Sequence, residues 1–404
     1  MISGQRIYVT GMGAVTALGS GVSALWNGAV SGVSGVRPIS FGEKYPTMIK
    51  QAAFLERPPK SPGIRPGSPG DVDFVTSIAL TAAAEAMSQA KWPTDMPLGN
   101  DAAVVIGTGI GAITTIEGEY QKYFSTGDRP DPFTVPKIMP SAPASNISMT
   151  YGARGISFAL SSACASSSQA MGMALLLIRA GLARRAVVGG TEALLTYSGF
   201  RAWEGLRVMT PTLCRPFSKD RNGMVLGEGA AVMLIETEEA LAERGGEPLA
   251  EIAGFGTTSD AGDMLRPDAQ MCARAMSAAL VDAGVKPEEI GYLNAHGTGT
   301  ILNDQTESRA MRDVFGGHLD ALPVSSTKPV HGHTLGAAGA IELVITIEAL
   351  RNSIAPPTLN WISADSNCIA DPVPNAARGA AINAAMSNSF AFGGINSSLV
   401  IRKV

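Results

Sequence analysis

The chain has 404 residues, of which 45% are hydrophobic and 16% charged, and its formal net charge is −4. These values exclude a disordered or fibrous protein and predict a compact α/β protein with enough core for two domains. The small acidic balance argues against broad nucleic-acid binding, because such binding needs clustered positive charge.

The first pattern along the chain, RIYVTGMG, is a short apolar run that ends in a glycine-rich turn, and similar runs recur. Each is typical of a buried strand that leads into a loop. Between the runs, apolar residues recur at spacings of three and four, which predicts helices with one apolar face. Strands that alternate with helices predict an α/β fold with largely parallel sheets. The later runs are AAVVIGTGIG, RRAVVGGTEA, EIAGFGTTSD, EIGYLNAHGTG and PVSSTKPVHGHTLG.

The beginning of the chain, MISGQRIYVTGMGAV, lacks the charged and then apolar pattern of a secretory signal. Every apolar stretch is interrupted before it reaches the roughly 20 residues of a membrane span. We therefore expect a cytoplasmic protein that does not enter the membrane. The segment LERPPKSPGIRPGSPG, residues 55–70, is rich in Pro and Gly and is predicted to be an exposed loop.

The patterns also suggest a duplication, with one half at 1–247 and the other at 248–404. In the first half, AAVVIGTGIG precedes a small-residue turn and helix at Cys164, and AAVMLIETEE follows. In the second half, EIGYLNAHGTG precedes VSSTKPVHGHTLGAAG, and SSLVIRKV follows. The halves match in order and pattern rather than in identity. Corresponding loops of both halves are expected to meet at one cleft.

The stretch LSSACASSSQAMG places Cys164 among small residues, ahead of a helix predicted to begin near Ala165. The amides and dipole of a helix N-terminus favour a thiolate, so this setting suits a nucleophile. The alternative is a buried structural cysteine, which is the commoner role. Cys214, Cys272 and Cys368 have no comparable setting and are assigned that structural role. The wide spacing of the four thiols predicts neither a metal cage nor a disulfide framework.

Two of the four histidines follow strand-like runs and stand beside glycines: His296 in NAHGTGT and His333 in KPVHGHTLGAAG. His331 lies two residues before His333, and His318 lies in the loop-like GGHLD. Taken singly, His296 or His333 is as compatible with a hydrogen-bonded core residue as with a catalytic one. If their loops meet the Cys164 turn at one cleft, a catalytic role is favoured for both histidines.

Two further features accompany these loops. Glu342 is a lone acid in AGAIELVITI and needs a partner if it is buried, for which Lys328 is a candidate; exposure to solvent is the alternative. Near the C-terminus, SNSFAFGGINSS places Phe390 and Phe392 before a Gly-Gly turn. Backbone amides in such a turn can form an oxyanion hole, although glycine pairs more often serve only as turns.

Taken together, SSACASS, NAHGTGT, STKPVHGHTLGAAG and NSFAFGGIN resemble, in order and spacing, the β-ketoacyl-acyl carrier protein synthases of the elongating type. The resemblance covers essentially the whole chain, from VTGMGAVTALG through RPFSKDRNGMVLGEGA to SSLVIRKV. It implies the thiolase fold, with two pseudo-duplicated halves in a five-layered αβαβα structure. It also implies a homodimer that acts with acyl carrier protein and needs no metal or diffusible cofactor, because the carrier protein brings the phosphopantetheine arm.

The resemblance assigns catalytic roles by position. Cys164 corresponds to the nucleophile that receives an acyl group, and His296 and His333 correspond to the pair that supports decarboxylation of malonyl-acyl carrier protein. The implied product is a 3-oxoacyl-acyl carrier protein, made in fatty acid or polyketide-like biosynthesis. Lys328 and Glu342 correspond to a supporting ion pair. The amides of Cys164 and Phe392 correspond to the oxyanion hole.

Substrate-binding residues follow in the same way. Phe392 corresponds to a gate over the acyl pocket, and Thr298 and Thr300 correspond to hydroxyls that bind the phosphopantetheine arm. Phe390, Thr134 and Ile110 are further expected substrate-binding positions, Thr134 in a segment that usually lines the acyl pocket near the dimer axis.

The chain departs from the usual family pattern at several positions. Ala391 stands in FAFGG where FGFGG is usual, His331 where threonine is common, Met224 where phenylalanine is common, and Thr134 where a second aromatic is common. FAFGG with KPVHGH resembles the nodulation-associated branch, which suggests a specialised acyl chain. The Pro-rich segment replaces a more regular one near the carrier-protein surface, so the docking residues cannot be assigned.

Three alternatives fit the sequence less well than an elongating synthase. A biosynthetic thiolase would need a second cysteine near the C-terminal glycines, and NSFAFGGIN has none. An initiating synthase would have asparagine in place of His333. A non-catalytic chain-length subunit would lack Cys164. A catalytic subunit that forms a heterodimer with such a partner remains open.

Overall fold

A computed structural model describes residues 5–56 and 72–404, and its centre is one large mixed β-sheet. The Pro-rich segment predicted to be an exposed loop lies, from residue 57 on, outside the described residues. The strands are β1 Ile7–Thr16, β2 Gly19–Ser20, β3 Arg37–Pro38, β4 Gln51–Ala52, β5 Ala102–Gly107, β6 Ser157–Leu160, β7 Arg185–Glu192, β8 Gly229–Thr237, β9 Ala250–Ser259, β10 Ile290–Asn294, β11 Val324–Ser325, β12 Ile354–Ala355, β13 Arg378–Gly379, β14 Ala384–Ala391 and β15 Ile395–Arg402.

Helices cover the sheet, and the longest run to fifteen or sixteen residues. They are α1 Val22–Ser31, α2 Phe74–Gln89, α3 Ile113–Thr126, α4 Thr134–Ile138, α5 Ala142–Tyr151, α6 Ser166–Arg179, α7 Tyr197–Gly205, α8 Glu238–Arg244, α9 Ala269–Ala283, α10 Ile301–Phe315, α11 Lys328–His331 and α12 Ala338–Asn352. None in the described part of the chain is long and apolar enough to cross a membrane.

The strand order confirms the duplication. From the middle outwards, one half of the sheet runs β1, β8, β7, β5, β6, and the other runs β9, β15, β14, β10, β11. The halves meet where β1 pairs antiparallel with β9, at Tyr8↔Glu251 and Val9↔Ala250. The division at 1–247 and 248–404 remains a prediction.

The sheet is mixed, so the expectation of largely parallel strands was wrong. Pairing is parallel only among the outer strands of each half, β5 with β6 and β7, and β10 with β11 and β14. The strands nearer the middle pair antiparallel. The turn 392–394 between β14 and β15 explains part of this, because strands joined by so short a connection must run antiparallel.

Helices form three layers around the two halves of the sheet. α2 and α5 pack on the outer face of the first half, and α9 packs with α10 on the outer face of the second. α6 and α12 lie between the halves, in a core to which both contribute. α12 is apolar around most of its circumference and is buried from Ala338 to Leu350, as a central helix must be. This is the five-layered αβαβα arrangement that was predicted.

Each central helix begins with the same kind of turn. A single turn of 3₁₀ helix at Ala163–Ala165 leads into α6, and another at Leu335–Ala337 leads into α12. Both open on a residue with positive φ, 49° at Ala163 and 42° at Leu335. The predicted helix after Cys164 is therefore confirmed, and it has a counterpart in the second half.

The glycine inside α6 has a specific packing partner. The ring of Phe255, on β9, occupies the space in which a Cβ of Gly172 would lie. No other residue fits at this position without displacing the ring.

Candidate active site

The three residues predicted to carry the chemistry meet at one point. Sγ of Cys164 lies 3.1 Å from Nε2 of His333, and the rings of His296 and His333 are 5.4 Å apart between centroids. All three side chains are buried. Cys164 comes from the first half and the histidines from the second, so corresponding loops do converge as the duplication predicted.

Burial decides the protonation of Cys164. Desolvation raises the pKa of the thiol to about 12, although the Lys328 charge and a hydrogen bond from the Phe392 backbone amide act in the opposite direction. The expectation that the helix N-terminus would favour a thiolate is therefore wrong for the resting site, because loss of water outweighs it. The resting group is therefore a thiol, and its proton can pass to Nε2 of His333 at 3.1 Å.

Both histidines are neutral. Burial, followed by the nearby charge of Lys328, holds the pKa of His296 and of His333 well below the ordinary value. Nζ of Lys328 lies 3.4 Å from Nδ1 of His296. Since an ammonium group can only donate, Nδ1 accepts and the proton of His296 lies on Nε2. His296 can therefore donate a hydrogen bond to a substrate oxygen.

Lys328 and Glu342 form the ion pair suggested by the sequence, so the solvent-facing alternative for Glu342 is wrong. Nζ and Oε1 are 2.5 Å apart, and both side chains are fully buried. Burial raises the pKa of Glu342 to about 7 against the effect of Lys328. His331, the residue that departs from the family pattern, lies behind the pair, with Nε2 3.9 Å from Oε1 of Glu342.

A cavity of about 310 Å³ opens onto the three residues. Thr298, Thr300, Phe390 and Phe392 line it, as predicted for substrate-binding residues. Met224, another departure from the family pattern, lines it too. The remaining lining residues are Arg207, Val208, Asn222, Gly223, Asp263, Met264, Leu265, Arg266, Pro267, Ile301, Leu302, Asn303, Ala391 and Gly394, with Cys164 and both histidines.

Phe392 is held in place from two sides. Its ring stacks on that of Trp203, with centroids 6.0 Å apart and planes at 21°. Its backbone amide lies close enough to the sulfur of Cys164 to lower the pKa of the thiol. An amide so close to the nucleophile suits an oxyanion hole, because the negative charge forms on the oxygen of the carbonyl that the sulfur attacks.

Two predicted substrate-binding residues lie outside the cavity. Ile110 is 39% exposed, in the loop after β5, and Thr134 is buried at the start of α4. Neither lines the space in front of Cys164. Their assignment to an acyl pocket stays a prediction.

Two buried acids beside the site, Glu307 and Asp304, were not predicted from the sequence. Glu307, on α10, accepts hydrogen bonds from the backbone amides of His296 and Gly297, each at 2.8 Å, and burial raises its pKa to about 7. Asp304, one helical turn earlier, accepts from the amide of Gly299. The signal was the spacing of these two acids, which places them on the same face of the helix that follows NAHGTGT.

The catalytic donor atoms also resemble a metal-ligand set. The ligand atoms of Cys164, His296 and His333 lie within 4.8 Å of one another, and thiolate and imidazole are the ligands that zinc prefers. The ammonium group of Lys328 beside His296 opposes a second cation there. The arrangement fits proton transfer better than metal binding.

Comparison with known proteins agrees with the geometry. The N-terminal domain model of the β-ketoacyl synthases matches residues 4–240, and the C-terminal domain model matches residues 249–361. Nodulation protein E of Rhizobium sp. (strain N33) is 38% identical over 99% of this chain and all of its own length. The 3-oxoacyl-[acyl-carrier-protein] synthase 2 of Staphylococcus aureus (strain COL) is 36% identical over 100% of this chain and 99% of its own.

Solved structures give the same result. The ishigamide ketosynthase/chain length factor has a TM-score of 0.92 at 32% identity, over 99% of each chain. A β-ketoacyl synthase from Burkholderia phymatum has a TM-score of 0.88 at 33% identity, over 99% of this chain and 100% of its own. The fold is thus that of the thiolase-like ketosynthases, and the chain is an acyltransferase that belongs to the β-ketoacyl synthase family.

Proposed function

We propose that Cys164 carries the acyl group in a decarboxylative condensation with malonyl-acyl carrier protein, and that His296 and His333 activate the malonyl group. The product is a 3-oxoacyl-acyl carrier protein. The observation that carries this proposal is the 3.1 Å contact between Sγ of Cys164 and Nε2 of His333, beside His296 and open to one cavity.

In the first step, the Cys164 proton passes to Nε2 of His333 and the thiolate attacks the thioester carbonyl of an acyl carrier protein. The backbone amides of Cys164 and Phe392 stabilise the oxyanion. The C–S bond to the phosphopantetheine arm then breaks, and its sulfur takes the proton back from His333. An acyl group on Cys164 and a free carrier thiol result.

In the second step Cys164 is acylated, so Nε2 of His333 no longer accepts from the thiol and the neutral ring can carry its proton on that atom. The malonyl thioester carbonyl then accepts hydrogen bonds from Nε2 of His296 and from Nε2 of His333. The bond to the carboxylate carbon breaks and releases CO₂, and its electron pair forms an enolate, which these donors stabilise. The enolate carbon attacks the acyl carbonyl on Cys164. The C–S bond to Cys164 breaks, and the thiolate takes a proton from water to restore the resting thiol, which replaces the proton that left with the carrier thiol in the first step.

The phosphopantetheine arm is placed along Thr298 and Thr300, whose hydroxyls lie 2.9 Å apart at the cavity wall. The partner is acyl carrier protein, in line with the complex of the AntDE ketosynthase with its carrier protein AntF. No metal or diffusible cofactor enters this scheme. We assign the protein to the cytoplasm, where carrier proteins act.

The chain is proposed to act as a dimer. Helix α3 has no buried residue in the single chain and exposes Tyr120, Tyr123 and Phe124, which suits a subunit interface. A homodimer is the main proposal. A heterodimer is the second candidate, because two of the structural relatives, the ishigamide protein and ApeO with ApeC, are ketosynthases with a chain length factor.

The likeness to nodulation protein E supports a specialised acyl substrate rather than bulk fatty acids. A panel of acyl carrier proteins that differ in chain length and unsaturation identifies it. Equal turnover of all common saturated chains would contradict a specialised substrate.

The central test replaces Cys164. Cys164→Ala is expected to abolish condensation and retain decarboxylation of malonyl-acyl carrier protein, because the histidines remain. Cys368→Ala, a buried thiol away from the cavity, is the matched control and is expected to condense normally. Product analysis and CO₂ release measure the two activities. Condensation by Cys164→Ala would disprove the proposal and reopen the thiolase alternative, with another nucleophile.

A further inference from the structure

Glu192, at the end of β7, is a fully buried carboxylate that the chemistry above does not use. Oε2 accepts hydrogen bonds from the backbone amides of Gly109 at 2.6 Å and Gly336 at 3.0 Å. Oε1 accepts from the amides of Ile110 at 3.1 Å and Gly111 at 3.4 Å. Four converging amides make an anion-binding site, and the carboxylate of this chain fills it.

The site lies at the turn Leu335–Ala337, which is the counterpart in the second half of the turn that carries Cys164, here called the nucleophile turn. Gly336 is the middle residue of the turn Leu335–Ala337, as Cys164 is of Ala163–Ala165. The Cys164 turn packs against the end of β14, and the Gly336 turn packs against the end of β7. Gly336 therefore takes the place of a nucleophile in the second half. The amide of Gly336 donates to Glu192. In the first half, the corresponding amide of Cys164 is the one proposed to donate to the oxyanion.

The same hydrogen bonds connect the two parts of the active site. Gly336 follows His333 within one short turn. The loop of Gly109 reaches the Cys164 turn, because Oγ of Ser161 donates to the carbonyl of Gly109 at 3.2 Å. Glu192 thus binds one loop that contacts the nucleophile turn and a second that carries the general base.

We infer that Glu192 is a positioning residue for condensation: its carboxylate occupies the anion site of the second turn and sets the distance between Cys164 and His333. It touches no reacting atom. The roles proposed above for Cys164 and His333 underlie this assignment.

The first test removes the carboxylate and supplies it again. Glu192→Ala deletes the atoms of one acetate ion, so acetate fits the space. Loss of the four hydrogen bonds to this carboxylate is expected to lower kcat for condensation about 100-fold, the effect of a displacement near 1 Å in an active site. Acetate is expected to restore activity with saturation, and acetamide, of the same shape without charge, is not.

Controls separate this effect from unfolding. Glu204→Ala removes another buried carboxylate, which accepts from the amide of Ile49 at 2.7 Å and does not line the cavity, and acetate is expected to leave the activity of this variant unchanged. Circular dichroism verifies folding of both variants. A folded Glu192→Ala enzyme with wild-type activity, or rescue by acetate and acetamide alike, would overturn the assignment.

The second test removes the charge of Glu192 and measures the effect on Cys164. The groups that act electrostatically on Cys164 are Lys328, Glu192 and Glu342, and Glu192 raises the thiol pKa. Glu192→Gln keeps the shape of the side chain and removes one negative charge near the thiol, so at about pH 8 Cys164 is expected to be alkylated by iodoacetamide faster than in the wild type. Glu204→Gln is the matched control. An unchanged alkylation rate in a folded Glu192→Gln enzyme would count against the inference.

Different results would contradict the proposed function and the role of Glu192. If Cys164→Ala still condenses, the proposed function is wrong. If Cys164→Ala is inactive while both Glu192 variants behave as the wild type, only the role of Glu192 is wrong.

Discussion

At the scale of single residues, Lys328 determines the electrostatics of the site. Its buried ammonium group pairs with Glu342, lies beside His296, and lowers the pKa of Cys164 against the effect of burial. One cation therefore fixes a tautomer and favours a thiolate. The cost is a charge without water around it, and Glu342 is the acid that pairs with it in the described part of the chain.

Glu342→Gln is expected to lower the free energy of unfolding by about 3–5 kcal/mol, because it leaves the buried Lys328 charge unpaired. The double variant Lys328→Met/Glu342→Gln is expected to regain most of that stability but not the condensation activity, since His296 loses its partner. Urea denaturation and a condensation assay measure the two effects. A fully stable Glu342→Gln protein would show that the pair is not ionised.

Glu307 predicts a pH dependence of stability. Burial raises its pKa to about 7 from an ordinary value of 4.5, so between these values the folded chain holds a proton that the unfolded chain releases. The unfolding free energy of the wild type, relative to that of Glu307→Gln, is expected to fall as the pH rises through this range and to level off above about pH 8. Denaturation of both proteins across this range measures it. Parallel curves would contradict the raised pKa.

At the scale of elements, the two glycines of the turn between β14 and β15 are hydrogen-bonded to the segment that follows β9. The amide of Gly393 donates to the carbonyl of Met264 at 2.9 Å, and the amide of Asp260 donates to the carbonyl of Gly394 at 2.8 Å. The ring of Phe392 is held separately, by its stack on Trp203. Movement of the ring away from Cys164 must therefore break the aromatic stack first.

Trp203→Ala is expected to speed the reaction of Cys164 with a bulky thiol reagent about 2- to 10-fold, since an aromatic pair contributes about 0.5–1.5 kcal/mol. Trp203→Phe keeps a ring and is expected to react nearly as the wild type. Mass spectrometry of the digested protein follows labelling and is expected to find Cys164 modified before the other three thiols. An unchanged rate in Trp203→Ala would show that the stack does not hold Phe392.

At the scale of the whole molecule, the exposed face of α3 predicts self-association. Phe124 is 81% exposed in the single chain, an unusual position for a large apolar ring. Burial of that ring in a dimer would remove it from water.

Phe124→Asp is expected to weaken the dimer at least about 30-fold, as loss of an interface residue worth 2 kcal/mol would. Val281→Asp is the matched control, because Val281 is 82% exposed on α9. Sedimentation over a range of concentrations measures both. Equal dimer stability in the two variants would place the interface elsewhere.

The sequence predicted those site residues that stand in recognisable surroundings. Cys164, His296 and His333 lie beside small residues or glycines, and the lone acid in an apolar helix pointed to Lys328. Glu192 was not predicted, because its partners are backbone amides from distant loops, which no side-chain pattern reveals. The direction of the Cys164 pKa was wrong for a related reason: a helix N-terminus can be recognised in sequence, but the depth of burial cannot.

The packing of Gly172 against Phe255 has a mechanical consequence. Gly172 lies about 12 Å further along α6 than Cys164, and the ring that fills the place of its missing methyl group stops the helix from sliding along its axis. This contact, which lies away from the substrate, limits the movement of Cys164 relative to His333. Gly172, a small residue of the stretch LSSACASSSQAMG, therefore serves to position the helix that follows Cys164.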